Sequence, residues 1–397
     1  NIGEMKLDPF IEQYGPVVHM ADLAVRQVNP NTRVYVSLEH HWNKCFDENP
    51  GRSFRGKDFM EKFTAWSRRH GDFGWNVAYH PYPEDLFEPD FWNDHFALLS
   101  FDTPLITFKN LEVLPAFLRK KSMLYDGKPR RIILSEQGFH APDSEEGELL
   151  QAAAYAAAYY RVSKMPDIDA FMLHRHVSAT DEGGLRLGLR DFDVETKLPI
   201  YETFRLAGTD QWEKAFEFAK PIIGIQDWSE LDPAETIPES IDIYSLYGES
   251  PEGLVADLCK LSDQAEVDNV ASWQLKIQET PNGPRIAMME HPTPEGTGKA
   301  TFTIQLPEIA KDERLGLHFF TTLGEKTKDG VLFFVEVNGD EVWALHQDAH
   351  EAREYAIDLS AYVGQTIALS LCVNPGETFD YDWAHWVLPQ IIKVTDK

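Results

Sequence analysis

The sequence predicts an α/β region followed by an all-β region. In residues 1–225, short apolar runs alternate with longer helical patterns, and polar residues follow each apolar run. In residues 226–397, a stretch punctuated by prolines gives way to short strands in which apolar and polar residues alternate. The first pattern is typical of part of a (β/α)8 barrel, and the second of a β-sandwich of the jelly-roll type.

Four strand–helix units account for the first region, and several of their boundaries have local signals. Asn29-Pro30-Asn31 ends the first helix and Gly71-Asp72 ends the second. Ile132–Leu134 is assigned as a buried strand because it is too short and too β-branched for a helix. The predicted helices cover residues 8–28, 57–70, 111–123, 148–164 and 201–219, and the predicted strands cover residues 33–38, 75–79, 132–134 and 170–173.

Four strands are half of the number that a complete (β/α)8 barrel contains, and such a barrel takes about 250 residues. Four parallel strands alone would leave two edges without hydrogen-bonded neighbours. Two possibilities therefore stay open at this stage. Either the first half of the barrel is missing from this chain, or the fold is an open parallel sheet.

The second region reads as a series of short antiparallel strands. Residues 300–306, 331–337 and 366–371 have the alternating pattern of strands with one buried face. Asn338-Gly339 between two such strands predicts a two-residue hairpin turn. We therefore expect an accessory β-sandwich in residues 226–397.

Composition excludes several functional classes. The net charge of −28 would repel nucleic-acid phosphates and anionic membranes, and no apolar run reaches membrane-spanning length. The three cysteines are widely spaced and odd in number, so neither a disulfide framework nor a zinc–cysteine site is expected. We expect no cofactor, no nucleic-acid partner and no membrane insertion, and the sequence sets no oligomeric state.

Glu136 is the residue most suggestive of chemistry. It follows the strand Ile132–Leu134, and α/β folds place their reactive groups at the carboxyl ends of strands. A carboxylate at such a position needs either a role or a partner. The structural alternative is an ion pair with Arg131 or Arg175.

Polar and aromatic residues follow the other predicted strands and would share one face with Glu136. Glycoside hydrolysis requires two carboxyl groups, one as nucleophile or base and one as acid, while aromatic rings and imidazoles bind the sugar. We therefore predict a carbohydrate substrate, with Glu136 and Glu39 as catalytic residues. The predicted substrate-binding residues are His40, His41, Trp42, Asn43, His80, Tyr82, Gln137, His174 and His176.

These segments resemble those of a known group of enzymes. Ile132–Gly138 is similar to the seventh strand of the clan A glycoside hydrolases, which are TIM barrels and have their nucleophile there. Tyr79–Pro83 and Phe171–His176 are similar to the ends of their sixth and eighth strands. Together with Ser37–Asn43 and Gly183–Leu189, they make residues 1–222 resemble a bacterial barrel domain grouped with glycoside hydrolases.

The resemblance implies a retaining glycosidase with Glu136 as nucleophile. In clan A the general acid is a Glu that follows an Asn at the end of the fourth strand, and by this register that strand would precede Asn1. Glu39 is then the best local substitute for the acid. We expect a secreted bacterial protein in an extracellular or periplasmic location, and we identify no signal peptide in this chain.

Two functions of other classes stay open. The chain could be a non-catalytic glycan-binding protein in which the sandwich is the binding module. It could also be a metal-dependent hydrolase, because His174 and His176 would face one side of a strand and suit a metal ion. In the sandwich, Asp380–Trp386 resembles the closing strand of accessory jelly rolls, and we expect it to complete the core rather than bind glycan.

Overall fold

The chain forms two compact units, Asn1–Ile241 and Asp242–Lys397. None of the helices in the described ranges has both the length and the apolar character needed to cross a lipid bilayer. The computed structural model describes residues 4–46, 51–294, 296–324, 329–376 and 382–395.

The first unit has the predicted alternation of strands and helices. The predicted helix over 201–219 is divided into shorter helices, because Gly208 adopts a left-handed conformation with φ +72°. The helices are α1 (Leu7–Val28), α2 (Gly56–Arg69), α3 (Val113–Leu118), α4 (Glu145–Ser163), α5 (Pro199–Leu206), α6 (Trp212–Phe216) and α7 (Ala219–Ile223), and the strands are β1 (Val34–Glu39), β2 (Trp75–His80), β3 (Ile132–Leu134) and β4 (Ile168–Phe171).

The four strands form one parallel sheet in the order β1-β2-β3-β4, and the described residues do not close it into a barrel. In this register Glu39 at the end of β1 pairs with His80 at the end of β2. Tyr79 of β2 likewise pairs with Leu134 at the end of β3. The carboxyl ends of neighbouring strands therefore lie side by side, which brings the residues that follow them together.

The two faces of this sheet differ in burial. Val77, Ile132 and Leu134 are fully buried on the face that contributes to the core. Ser37 and Ile133 occupy alternate positions, and they are exposed and partly exposed. Ala78 of β2 lies between them on the same face and is only 7% exposed. The second face is therefore open at β1 and in part at β3, and the sheet is otherwise reached from the carboxyl ends of the strands.

The first unit extends beyond the predicted domain boundary at residue 225. Trp228 is only 7% exposed and belongs to the core of this unit. The Tyr160 hydroxyl of α4 donates a hydrogen bond to Asp232 at 2.7 Å. The prolines of residues 226–241 predict that this stretch belongs to the second domain, but these long-range contacts place it in the first unit.

The second unit is a sandwich of two antiparallel sheets. The unit begins with a short helix, α8 (Ile243–Tyr247), and its strands are β5 (Leu254–Asp257), β6 (Glu266–Asp268), β7 (Val270–Thr280), β8 (Gly283–Pro292), β9 (Gly298–Gln305), β10 (Glu313–Leu323), β11 (Val331–Val337), β12 (Asp340–Gln347), β13 (Arg353–Asp358), β14 (Thr366–Asn374) and β15 (Ala384–Thr395). One sheet has the order β13-β10-β15-β8-β7, with β5 also paired to β15, and the other has the order β12-β11-β14-β9-β6.

Two local predictions in this unit can be compared with the structure. The Asn338-Gly339 hairpin is confirmed, since both residues have positive φ values of 55° and 89° and connect β11 to β12. Within the predicted closing strand, residues 380 and 381 lie outside the described ranges. Trp386 of that segment is fully buried between Phe319 and Phe333, as expected for a strand that completes the core.

Glu290 is a fully buried carboxyl group in the sandwich, and it accepts a hydrogen bond from the indole of Trp386 at 3.0 Å. Burial raises the pKa of Glu290 to about 8, and the hydrogen bond from Trp386 offsets only part of this rise. Between about pH 4.5 and pH 8, Glu290 is therefore protonated in the folded chain and ionised in the unfolded chain, where its pKa has the ordinary value of 4.5. The resulting stabilisation is complete below about pH 4.5 and is lost as the pH rises through 8.

Glu290→Gln is expected to raise the free energy of unfolding at about pH 9 by on the order of a few kcal/mol. Gln cannot ionise and keeps an oxygen that accepts from Trp386. At about pH 4.5 the two proteins should differ much less, because the wild-type carboxyl group is then neutral as well. Urea unfolding at both pH values measures the difference, and an effect independent of pH would contradict this prediction.

Candidate functional site

Glu136 lies just beyond β3 with its side chain exposed. The Tyr82 hydroxyl donates a hydrogen bond to Glu136 Oε1 at 3.1 Å. Burial raises the pKa of Tyr82, and the negative charge of Glu136 raises it further. Tyr82 therefore stays protonated over the physiological pH range and donates to the carboxylate.

The predicted ion pairs of Glu136 are absent, because both arginines bind other carboxylates. Arg131 Nε donates to Asp169 Oδ1 at 3.0 Å. Arg175 Nη1 donates to Glu182 Oε1 at 2.5 Å. The structural alternative for Glu136 is therefore wrong for these two partners, and the carboxylate remains open to solvent.

His80 lies between the ends of β1 and β3. Its Nε2 is 2.9 Å from Ser135 Oγ and 3.4 Å from Ser37 Oγ. Burial lowers the pKa of His80, while the negative charges of Glu136 and Glu39 act in the opposite direction. The imidazole is thus neutral at pH 7, and it interacts electrostatically with the carboxylates of Glu136 and Glu39.

Glu39 is held by the two histidines that follow it. His41 Nδ1 and Glu39 Oε2 form a hydrogen bond of 2.6 Å, and His40 Nδ1 is 3.7 Å from the same oxygen. Burial disfavours the carboxylate, but the hydrogen bond and the charges of the histidines outweigh it, so the pKa of Glu39 is lowered. A lowered pKa favours a nucleophile, a base or a metal ligand over a general acid.

His40 is the most buried member of this group, with 9% of its surface exposed. Burial lowers its pKa to about 4, and the positive charge of His41 acts in the same direction. Its Nδ1 has no hydrogen-bond partner among the described residues. The ring is therefore neutral at pH 7 and has an unused polar atom.

Two predicted substrate-binding residues are in the interior. Trp42 is fully buried, and its indole donates to the carbonyl oxygen of Phe101 at 3.0 Å. Gln137 is also fully buried, and its amide donates to the carbonyl oxygen of Met172. The assignment of these two side chains to sugar binding is therefore wrong, because neither reaches the surface. Asn43 is partly exposed and stays a prediction.

His174 and His176 do not share a strand face, because β4 ends at Phe171. His174 Nε2 is 2.8 Å from Glu182 Oε1. His176 is exposed and lines a separate cavity of about 380 Å³ together with Tyr201. Among the described residues, the group suited to a metal is Glu39, His40 and His41. The alternative of a metal site at His174 and His176 therefore lacks its expected geometry.

Glu182 is a site carboxylate that sequence reasoning missed. It binds His174 and Arg175, and its negative charge contributes to the raised pKa of Tyr82. Glu182 Oε2 is buried and has no hydrogen-bond partner among the described residues. The available signal was its position directly before Gly183-Gly184, within the loop that follows β4.

The loops that follow β2, β3 and β4 contact one another beside Glu136 and His174. The Phe87 ring packs edge-on against His140 at 5.2 Å. A Cβ atom added to Gly138 would lie 2.2 Å from the carbonyl oxygen of His174, so only glycine allows the turn after Glu136 to approach the β4 segment. These close contacts fix the position of Glu136 relative to His174.

The sequence profile of DUF5722, described as a family of unknown function, matches residues 1–231. No curated protein matches the chain. The solved structures with detectable similarity include CBM51-2 with GlcNAc and INT domains from Clostridium perfringens ZmpB. That match has 12% identity and a TM-score of 0.25, and covers 33% of this chain and 30% of the other. The match thus spans less than a third of that protein's length.

Two further solved structures are smaller modules. CBM51 from Clostridium perfringens GH95, in complex with methyl-galactose, has 11% identity and a TM-score of 0.23, with 32% of this chain and 92% of that chain covered. A carbohydrate-binding module from Cellvibrio mixtus lichenase 5A, in complex with cellotriose, has 8% identity and a TM-score of 0.22, with 36% and 98% covered. Similarity at this level is too weak to assign a ligand to this chain.

Proposed function

The chain belongs to DUF5722, a family of unknown function, and we propose that it hydrolyses glycosidic bonds with Glu136 as the nucleophile. The observation that supports this most directly is the exposed Glu136 carboxylate, which is oriented by the Tyr82 hydroxyl at 3.1 Å. Neutral His80 and the half-exposed Glu39 lie at the ends of the neighbouring strands. Carboxylates, imidazoles and a tyrosine around an open site are the groups that glycoside hydrolysis uses.

The sheet order supports a barrel-type origin for this region. The strands β1-β2-β3-β4 follow one another in the sheet as they do in the chain, and all are parallel. A doubly wound open sheet instead reverses its strand order at a switch point. We therefore propose that these strands correspond to consecutive strands of a (β/α)8 barrel, with Glu136 at the face where such barrels perform catalysis.

In the proposed reaction, an oxygen of Glu136 forms a bond to the anomeric carbon as the glycosidic C–O bond breaks. The leaving oxygen takes a proton from the Glu39–His41 pair, whose hydrogen bond is 2.6 Å long, and this transfer leaves a Glu39 carboxylate beside a neutral His41 imidazole. Water then attacks the glycosyl–Glu136 ester, releases the sugar and restores a proton to the Glu39–His41 pair. This assignment makes the pair, rather than the Glu39 carboxyl group alone, the proton donor.

The full chain should therefore release reducing ends from a panel of plant and bacterial polysaccharides, and product stereochemistry can be followed by NMR. Retention at the anomeric carbon is the outcome expected for a nucleophilic Glu136. Inversion at the anomeric carbon would contradict the assignment of Glu136 as nucleophile but would still support glycoside hydrolysis. The absence of reducing ends from the whole panel would instead favour a protein that binds glycan without cleaving it.

Tyr82→Phe is expected to lower kcat/KM by about 10–100-fold on any glycan that the chain cleaves. The substitution removes one hydrogen bond to a charged oxygen, an interaction that contributes roughly 1.5–3 kcal/mol. The ring remains, so stacking on the sugar is preserved. Steady-state kinetics beside Tyr35→Phe, a tyrosine on the same sheet, distinguishes the lost hydrogen bond from a general effect, and equal losses would contradict the prediction.

Glycan binding without catalysis is the second candidate, and the lowered pKa of Glu39 favours it. A carboxylate that is ionised at neutral pH cannot by itself supply a proton to the leaving group. In this case Glu136, Tyr82 and His80 would bind sugar hydroxyls. The full chain would then migrate more slowly in a gel that contains the glycan, and it would release no product.

A further inference from the structure

We propose that Glu39, His40 and His41 bind one divalent transition-metal ion, with Zn²⁺ as the best-suited ion. This proposal does not rest on glycoside hydrolysis. One carboxylate oxygen and two imidazole nitrogens are donor types that zinc binds in proteins. The three ligand atoms all lie within 4.8 Å of one another. No other group of three candidate ligands with this spacing occurs in the described parts of the chain.

The distances are close to those of a tetrahedral ion. His40 Nδ1 lies 3.7 Å from Glu39 Oε2, and two ligands on a tetrahedral zinc ion, with bonds of about 2.0–2.2 Å, are roughly 3.4 Å apart. His41 Nδ1 lies 2.6 Å from the same oxygen, which is a hydrogen-bond distance. An ion would replace the shared proton, and the half-exposed Glu39 side chain can turn by the required ~1 Å.

The independent evidence for a ligand comes from His40. Its side chain is about nine-tenths buried, and its Nδ1 has no hydrogen-bond partner among the residues that the structure describes. Leaving such an atom buried and unpaired costs free energy. This nitrogen faces the Glu39 carboxylate, and an ion between the two would provide the partner that it lacks.

Backbone contacts hold the ligands in place before an ion binds. The His40 carbonyl oxygen accepts from Ile106 N at 2.9 Å, and the His41 carbonyl oxygen accepts from Gly56 N at 3.1 Å. The buried Trp42 that follows them anchors the turn in the core. A site whose backbone is already ordered loses little entropy on binding. Because the Glu39 side chain is 46% exposed, solvent can reach the fourth position on the ion.

Calorimetric titration of the chelator-treated full chain with ZnCl₂ tests the proposal without any substrate. We expect one saturable site per chain. His41→Asn should weaken it by more than the roughly 10–100-fold that loss of an outer-shell partner costs. His346→Asn is the matched control, because it removes an exposed histidine of the sandwich and should leave the site unchanged.

A site that is equally strong in His41→Asn, or no saturable site in the wild type, would overturn the proposal. Cobalt titration of the wild type provides a measurement that needs no variant. Visible absorption bands of tetrahedral Co²⁺ that zinc displaces are expected, and their absence would also overturn it. Because zinc would replace the proton that the proposed hydrolysis uses, the hydrolysis assay is run on the chelator-treated chain. Zinc binding without hydrolysis by the zinc-free chain, or hydrolysis by that chain without zinc binding in the titration, then identifies which of the two proposals has failed.

Discussion

Glu136→Gln is expected to lower kcat by on the order of 10⁴-fold or more, as replacement of a catalytic nucleophile does. Gln has nearly the same shape and keeps an oxygen that accepts from the Tyr82 hydroxyl, so the surroundings of the site should persist. It cannot form the ester to the anomeric carbon. Glycan affinity should therefore remain similar to that of the wild type while turnover is lost.

The control for this variant is Glu146→Gln, which removes an exposed carboxylate from the first turn of α4. Its kcat should equal that of the wild type. Reducing-end release measures turnover, and affinity electrophoresis in glycan-containing gels measures binding. Wild-type turnover in Glu136→Gln would remove the nucleophile from the proposed mechanism, whereas a parallel loss of turnover and binding would indicate a binding role.

The ends of β1, β2 and β3 could be predicted from the sequence to within one residue because they depend on local signals, whereas β4 ends at Phe171, two residues before its predicted end. The run Ile132–Leu134 ends at polar residues and a glycine, and β3 has those bounds. The alternation of apolar runs with helical patterns correctly indicated four strands in the first unit. The Asn338-Gly339 turn was equally local, since both residues tolerate positive φ.

The direction of side chains beyond the strand ends could not be predicted in the same way. Residues within a strand alternate between faces, but this rule does not apply after the strand ends. Trp42 is directed inward because its indole donates to the carbonyl of Phe101, a residue 59 positions later. His174 and His176 diverge because β4 ends before them, so their spacing no longer places them on one side.

The ion-pair partners of charged residues could not be predicted from the sequence either, because they depend on which loops, distant in sequence, come into contact. The sequence suggested Arg131 and Arg175 as partners of Glu136, but each binds a carboxylate closer to itself in the fold. Their pairing elsewhere leaves Glu136 with the Tyr82 hydroxyl alone among the described hydrogen bonds. The roles of Glu136 and Glu39 stay predictions.

Glu112→Ala is expected to lower the free energy of unfolding of the first unit by about 3–5 kcal/mol. Glu112 Oε2 accepts from Arg161 of α4 at 2.5 Å, and Oε1 accepts from the backbone of Ala234 at 3.0 Å. Both charged side chains are less than 10% exposed. Removal of the carboxylate would leave the guanidinium of Arg161 buried without a counter-ion. This lowers the free energy of unfolding more than replacing both residues with apolar ones would.

Denaturant unfolding of the full chain, followed by tryptophan fluorescence, measures this change. Glu202→Ala is the matched control, because Glu202 pairs with Arg205 on the surface of α5 and its loss should leave the midpoint unchanged. Replacing both members by Glu112→Leu and Arg161→Met should recover much of the lost stability, since no buried charge then remains uncompensated. If Glu112→Ala shifted the midpoint no more than Glu202→Ala, the contact would contribute little. In that case hydrophobic packing around Trp228 would be what attaches residues 226–241 to the first unit.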